Sequence, residues 1–306
     1  MASIELTAPA KVNLFLKVLN KRKDGYHNIV TIFEKISLSD RITISKIPEG
    51  IQLSSDKFIT DDPKDNLLYK AAELIMDHYG IGGGVAIKIK KVIPIGAGLG
   101  GGSSDAAAVL LGIDKLFNLK ADRKDLMRLG ARLGADVPFF LFNEPFAAGR
   151  GIGERLEKVN ITKKLWHLIA YPGFKVLTKD IYKSFDDIKL KDKDKKDRGD
   201  FGLTRKSANA KIHPPLFENT KFGDLEAMLY NDLQDIVTAK ESIIGSIIER
   251  LAYFLDRKVI VSGSGPSVFC LCRTRKEAMG LKKKVFSSLP STEVKNWQVF
   301  IAKTED

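Results

Sequence analysis

The chain has 306 residues, 44% of them hydrophobic, and carries a net charge of +12. This length and apolar content suit a folded protein with room for two domains and exclude a disordered or low-complexity chain. The positive balance suits an anionic substrate and, on charge alone, would also suit nucleic acid.

The opening residues, MASIELTAPAKV, hold no basic stretch leading into an apolar core, and no apolar run reaches the length of a membrane span. A cytoplasmic protein with no membrane partner is expected. In KVNLFLKV, alternation puts Val12, Leu14, Leu16 and Val18 on one face of a strand and Lys11, Asn13, Phe15 and Lys17 on the other. HNIVTIFEKISLSDRITISKI reads as further strands with a turn near Ser39 and Asp40. From Asn66 to Tyr79, Leu67, Ala71, Leu74, Ile75 and His78 recur at helical spacing, with His78 near the helix end and Gly80 as the stop. Val85 to Lys90 alternates again, as a half-buried strand.

PIGAGLGGGSSDAAAVL follows, with five glycines in the nine residues 96–104. Ala106, Val109, Leu110, Ile113, Leu116 and Phe117 then recur at helical spacing behind the capping types Ser103, Ser104 and Asp105. Strand, glycine loop and helix make a phosphate cradle, where free backbone N–H groups and the positive helix end meet an anion. A purely structural turn is the alternative. No lysine follows Gly102, so the Walker pattern is not met, and the G-x-G-x-x-G spacing from Gly96 is weak in a loop this rich in glycine. At this level the chemistry is polyphosphate binding.

A further helix is expected from about Asp122 to a break at Gly134, ahead of Asp136 in LGADVPFF, a position typical of a cap or turn. A boundary falls between about Ile152 and Lys164. The second half opens on strand-like WHLIAYPG, and LEAMLYNDLQDIV and AKESIIGSIIERLAYFL read as helices. KVIVSGSGPSVFCLC reads as two apolar runs around a turn, a charged helix starts at Lys276, and NWQVFIA is a last strand. Strands and helices mix without strict alternation, which indicates an α+β fold. Cys270 and Cys272, two apart in an apolar run, read as a buried pair of small residues. Asp186 to Asp200 holds six basic and six acidic residues and reads as a solvated, mobile loop. Arg273 to Lys284 is basic but lacks aromatics for base stacking, which makes nucleic acid a minor reading beside a small-molecule partner.

Three stretches, in this order, resemble the three motifs of the GHMP small-molecule kinases: PAKVNLFLKVLNKRKDGYHNIVTIFEKISLSD, PIGAGLGGGSSDAAAVL and SGSGPSVF. The first, with Pro-Ala-Lys-x-Asn-Leu and Asp-Gly-Tyr-His, is similar to a branch that phosphorylates a cytidine diphosphate-bearing methylerythritol, at its 2-hydroxyl, in the non-mevalonate isoprenoid pathway. The likeness covers nearly the whole chain, including DNLLYKAAELI, LGADVPFF and GRGIGERL, and is weakest from Ile188 to about Glu226. It implies a two-lobed α+β fold. A ribosomal-S5-domain-2-like N-terminal lobe would span residues 1–160, and an α+β C-terminal lobe residues 161–306, with a charged insertion at about 186–215. ATP and substrate would lie between them.

The resemblance also implies roles. Asp136 would be the catalytic base and Lys11 would lie beside it, offsetting charge on the transferring phosphoryl group; the bland alternative for Lys11 is a solvated lysine on an edge strand. Asn13, on the same strand face as Lys11, Tyr26 and His27 would bind substrate. Tyr26 and Tyr182 would stack on the cytosine, with His27 reading its edge. Asn66 and Lys91 would lie near the adenosine of ATP. Pro94, Gly96, Ala97, Gly98, Leu99, Gly100, Gly101, Gly102, Ser103 and Ser104 would wrap the triphosphate, and Gly263 to Gly265 would support the site. Mg²⁺ is implied with ATP, with Ser104 a candidate ligand. Kinases of homoserine or mevalonate are the nearest rivals, and a non-catalytic nucleotide sensor is a rival of another class.

Overall fold

The computed structural model describes residues 2–196, 221–288 and 296–305. A long strand β1 (Ser3–Lys21) pairs antiparallel with β2 (His27–Ile47), the centre of a seven-stranded sheet. On its far side β2 pairs with β4 (Gly84–Lys90), which runs parallel to β3 (Gly50–Ser55), and with β5 (Phe146–Arg150), itself paired with β6 (Arg155–Lys158). A second, four-stranded antiparallel sheet has the order β11 (Gln298–Lys303), β7 (Trp166–Tyr171), β10 (Val268–Cys272), β9 (Ile260–Val261).

The two faces of β1 have different fates. Ala10, Val12 and Leu14 pack into one core with Ile169, Phe269 and Leu271 of the second sheet. Lys11 and Asn13 face the other way and are nevertheless buried. That other side of the sheet is covered by α1 (Leu67–Tyr79), α2 (Gly101–Phe117), α3 (Arg123–Leu133) and α4 (Val137–Leu141), whose apolar faces meet Phe33, Ile42, Ile44, Val85 and Ile87. Asn66 caps α1 by accepting from Leu68 N, and Gly80 ends it with φ 61°. A third core joins Leu16, Val18 and Ile29 to α5 (Thr178–Lys196), α7 (Gln234–Lys240), α8 (Ser242–Leu255) and α9 (Arg275–Ser288). Between the sheets, fully buried Glu34 accepts from Thr304 Oγ1 at 2.7 Å and lies 3.0 Å from His167 Nε2. Cys270 and Cys272 are free and buried, as their spacing suggests. Among the described residues no helix is long and apolar enough to cross a membrane.

Four local expectations are corrected. No turn interrupts β2 at Ser39 and Asp40, which pair with Pro9 and Ala8; Ala10 then faces Ile36, so a bulge at Ser37 and Leu38 takes up the extra residues and the strand continues. LEAMLYNDLQDIV is not one helix but α6 (Phe222–Met228), a two-residue strand β8 (Tyr230–Asn231) and α7. Asn231 and Asp232 break it because their side chains bind elsewhere: Asn231 donates to Val261 O and Gly263 O, and Asp232 accepts from Val18 N. Residues 186–196 belong to α5 rather than to a loop, and the remainder of the expected charged insertion, 197–215, lies outside the described residues. Finally, α2 starts at Gly101, so Ser103, Ser104 and Asp105 lie within its first turns and do not cap it.

The short α4 is held by Phe139, fully buried and stacked on Phe33 with ring centroids 4.8 Å apart. Phe139→Ala is expected to lower unfolding free energy by about 3–5 kcal/mol. Denaturant unfolding checks this; a loss under about 1 kcal/mol would mean that the ring does not anchor the helix.

Candidate active site

A cleft of about 1200 Å³ runs from the glycine loop to α5. Lys11, Asn13, Tyr26, His27, Asn66, Lys91, Asp136 and Tyr182 all line it, as do residues 94–103. Ser104 is not on its wall.

The loop is held through its own backbone carbonyls. Lys11 N donates to Leu99 O at 2.9 Å, and Ser262 Oγ donates to Gly98 O at 3.1 Å. Gly98 has φ +76°, and a Cβ there would lie 2.4 Å from Ser262 O, so no side chain fits where the third motif crosses the second. Gly100 has φ +69°, and a Cβ there would lie 2.9 Å from both Lys11 Cγ and Phe140 Cζ. It is the N-cap of α2 and supplies no side chain to that helix end. The first N–H groups of α2 therefore open toward the cleft without a competing cap, as anion binding requires.

Lys11 and Asp136 meet across the cleft floor. Lys11 Nζ donates to Asn13 Oδ1 at 2.6 Å and lies 3.3 Å from Asp136 Oδ2. Lys11 is buried on a central strand, not solvated on an edge. Asp136 precedes α4 but makes no capping bond, which leaves its side chain, 31% exposed, to the cleft and the lysine. Asn13 is committed at both ends, because its Nδ2 donates to Thr31 Oγ1 at 2.8 Å. It holds Lys11 in place.

Lys91 lines the cleft, yet its ammonium is enclosed by Asp40 and by Asp105 Oδ2, the latter 2.7 Å away. Asp40 also accepts from the backbone N–H groups of Val92 and Ile93. Burial opposes the charge on Lys91, but the two carboxylates outweigh it and raise its pKa. Asp105 is pushed by burial from 3.8 up to about 7, against the pull of Lys91 and with the help of Asp40. One ammonium cannot neutralise two buried carboxylates, and Asp105 carries the excess.

At the other end, His27 Nε2 lies 2.7 Å from Asp186 Oδ1, and Lys21 Nζ donates to Asp186 Oδ2 at 2.8 Å. Tyr182 stacks on the His27 ring itself, with centroids 4.9 Å apart, while Tyr26 stands exposed at the rim. Burial raises the Tyr182 phenol well above its ordinary pKa, with Asp136 and Asp232 adding to the effect. Thr178 and Ser264 hydroxyls, 2.8 Å apart, tie the start of α5 to the third motif.

Sequence reading missed Thr31, Asp40, Asp105, Lys21 and Asp186. Asp40 had a signal: Asp40, Ile42 and Ile44 alternate at fully buried positions, and an acid in such a row needs a partner. Asp186 had none, because it opens a run whose charges cancel.

Asp105 yields a pH prediction. Its folded pKa is raised, so its contribution to stability is complete below about 4 and is lost as pH rises through about 7. Asp105→Asn is expected to flatten the fall in unfolding midpoint between these limits. Thermal unfolding of both proteins at intervals of pH measures the difference, and parallel profiles would refute it.

Comparisons with known proteins identify the family. The family described as GHMP kinases N terminal domain matches residues 66–144, from the cap of α1 past Asp136. A 4-diphosphocytidyl-2-C-methyl-D-erythritol kinase of Syntrophus aciditrophicus (strain SB) is 36% identical over 303 residues, 99% of this chain and 100% of that relative. One from Geobacter metallireducens (strain ATCC 53774 / DSM 7210 / GS-15) is 37% identical over 289 residues, 94% of this chain and 96% of that relative. A crystal structure of 4-(cytidine 5'-diphospho)-2C-methyl-D-erythritol kinase superposes with a TM-score of 0.73 at 30% identity, covering 99% of this chain and 100% of the other. With likeness at this level along the whole chain, the protein belongs to the 4-diphosphocytidyl-2-C-methyl-D-erythritol kinase family of the GHMP kinases.

Proposed function

We propose that this chain transfers the γ-phosphoryl group of ATP to the 2-hydroxyl of 4-diphosphocytidyl-2-C-methyl-D-erythritol, in the cleft between lobes of residues 1–160 and 161–306. The observation that carries the reading is Lys11 Nζ 3.3 Å from Asp136 Oδ2, beside a helix N-terminus with no side-chain cap. A phosphoryl acceptor must lose its hydroxyl proton, and the γ-phosphoryl must be held in line while charge spreads over its oxygens.

Asp136 takes the proton at its carboxylate, which reaches the cleft because α4 does not use it as a cap. Lys11, held by Asn13, stands against the charge on the transferring group. Residues 96–104 surround the triphosphate, where the open N–H groups of α2 attract it. Asn66 and Lys91 border the adenosine, and Tyr26, His27 and Tyr182 border the cytidine end.

The implied Mg²⁺ fits the first turns of α2. Ser104 Oγ and Asp105 Oδ1 are buried oxygens without hydrogen-bond partners among the described residues. Asp105, which lines the cleft, would hold the ion through Oδ1, with Ser104 Oγ behind the wall as a second candidate, and the bound ion would supply positive charge to neutralise the phosphates. Among the described residues no group of three or more His, Cys, Asp and Glu could hold a metal ion, so ATP oxygens and water would complete its shell.

The deciding assay gives the purified protein ATP and Mg²⁺ with the cytidine substrate, mevalonate or homoserine in parallel. Turnover is expected with the first alone; preference for either small acceptor would overturn the reading. Asp136→Asn should lower kcat by about a hundredfold or more with ATP affinity retained. Near-normal turnover in the folded variant would remove Asp136 from the chemistry. Lys11→Ala should lower kcat more than it raises KM, since its interaction strengthens as charge develops. A pure KM effect would assign it to substrate binding.

A further inference from the structure

Asp186 belongs to none of the three motifs and sits on α5, yet both of its oxygens are used at the cytidine end of the cleft. Burial disfavours its charge, but hydrogen bonds from Lys21 and His27 outweigh this and hold the carboxyl below its ordinary pKa. An ionised carboxylate only accepts hydrogen bonds, so His27 Nε2, 2.7 Å away, must be the nitrogen that carries hydrogen. In a neutral imidazole the other nitrogen, Nδ1, is then a bare acceptor. The ring cannot turn to exchange the two. Tyr182 lies on its face at an interplanar angle of 28°, and Phe185 meets it edge-on at 90°.

Cytosine and uracil differ at this edge. Cytosine offers an exocyclic amine, a donor, where uracil has a carbonyl oxygen, an acceptor. An acceptor on the protein binds the first and repels the second. We propose that Asp186 is a positioning residue for base selectivity: it holds His27 as the Nε2–H tautomer, so that Nδ1 accepts from the cytosine amine and rejects uracil. This rests on the reading that a cytidine diphosphate binds here. Lys21 completes the device by occupying the second carboxylate oxygen, which keeps Asp186 from turning toward the ligand.

The test combines spectroscopy with kinetics. The chain has four histidines, so ¹⁵N-labelled imidazoles can be assigned by substitution and the protonated ring nitrogen of His27 identified by NMR. The wild-type protein should show hydrogen on Nε2 alone. Its kcat/KM should strongly favour the cytidine substrate over the uridine compound. Asp186→Asn can either donate or accept, so it no longer selects a tautomer; its preference should fall by about tenfold or more while the KM for ATP is unchanged. Hydrogen on Nδ1 in the wild type, or an undiminished preference in Asp186→Asn, would overturn the proposal and leave the cytidine reading intact. Equal use of the two compounds by the wild type would overturn that reading itself.

Discussion

One backbone hydrogen bond organises the site: the N–H of Lys11 donates to the carbonyl of Leu99 and fastens the glycine loop to the middle of β1. The same residue sends its ammonium toward Asn13 and Asp136. The glycine loop and the Lys11–Asp136 contact thus share one residue, Lys11, through its backbone and its side chain. The third motif adds a second fastening through Ser262 and Gly98, which is why that crossing leaves no space for a Cβ. Rigid positioning of this kind lowers a transfer barrier because the entropy of alignment is lost on folding and not during the reaction.

Two lysines near the loop show how burial separates structural from chemical charge. Lys91 is enclosed by two buried carboxylates, so its charge is satisfied before any ligand arrives. Such a cluster fixes the junction of β2, β4 and α2, although buried ion pairs add little net stability. Lys11 is as deeply buried, but its acidic partner remains about one-third exposed and open to the cleft. A partly solvated carboxylate can exchange a proton with a bound hydroxyl.

Much of this was legible in the sequence. Period-two alternation in KVNLFLKV placed Lys11 and Asn13 on one face, and both do share it. The apolar spacing behind the glycine cluster announced a helix, which is α2, and the three motifs gave the family. What escaped notice were residues whose partners are distant in sequence. Asp40 finds Lys91, and Asp186 finds His27 at a separation of 159 residues. Local pattern cannot reveal such pairs, since a polar residue near a bulge and an acid at the head of a mixed-charge run have ordinary local explanations. Asn231 and Asp232 escaped for the same reason: in LEAMLYNDLQDIV the apolar spacing is helical, and only partners on β1 and at the end of β9 break it. Tyr182 was placed correctly in the cleft, but its stacking on His27 depends on the packing of α5, which periodicity does not describe.

The pairing of β8 with β1 reaches across the whole chain. Phe15 and Leu16 lie beside Tyr230 and Asn231, and the N–H of Val18 is satisfied by Asp232, 214 residues later. During synthesis residues 1–160 emerge from the ribosome before β8 exists to pair with that side of β1. An unpaired edge of this length is a template for association with another nascent chain. Completion of the seven-stranded sheet therefore waits for a dipeptide made late in translation, which ties the start of the chain to a segment more than 200 residues away.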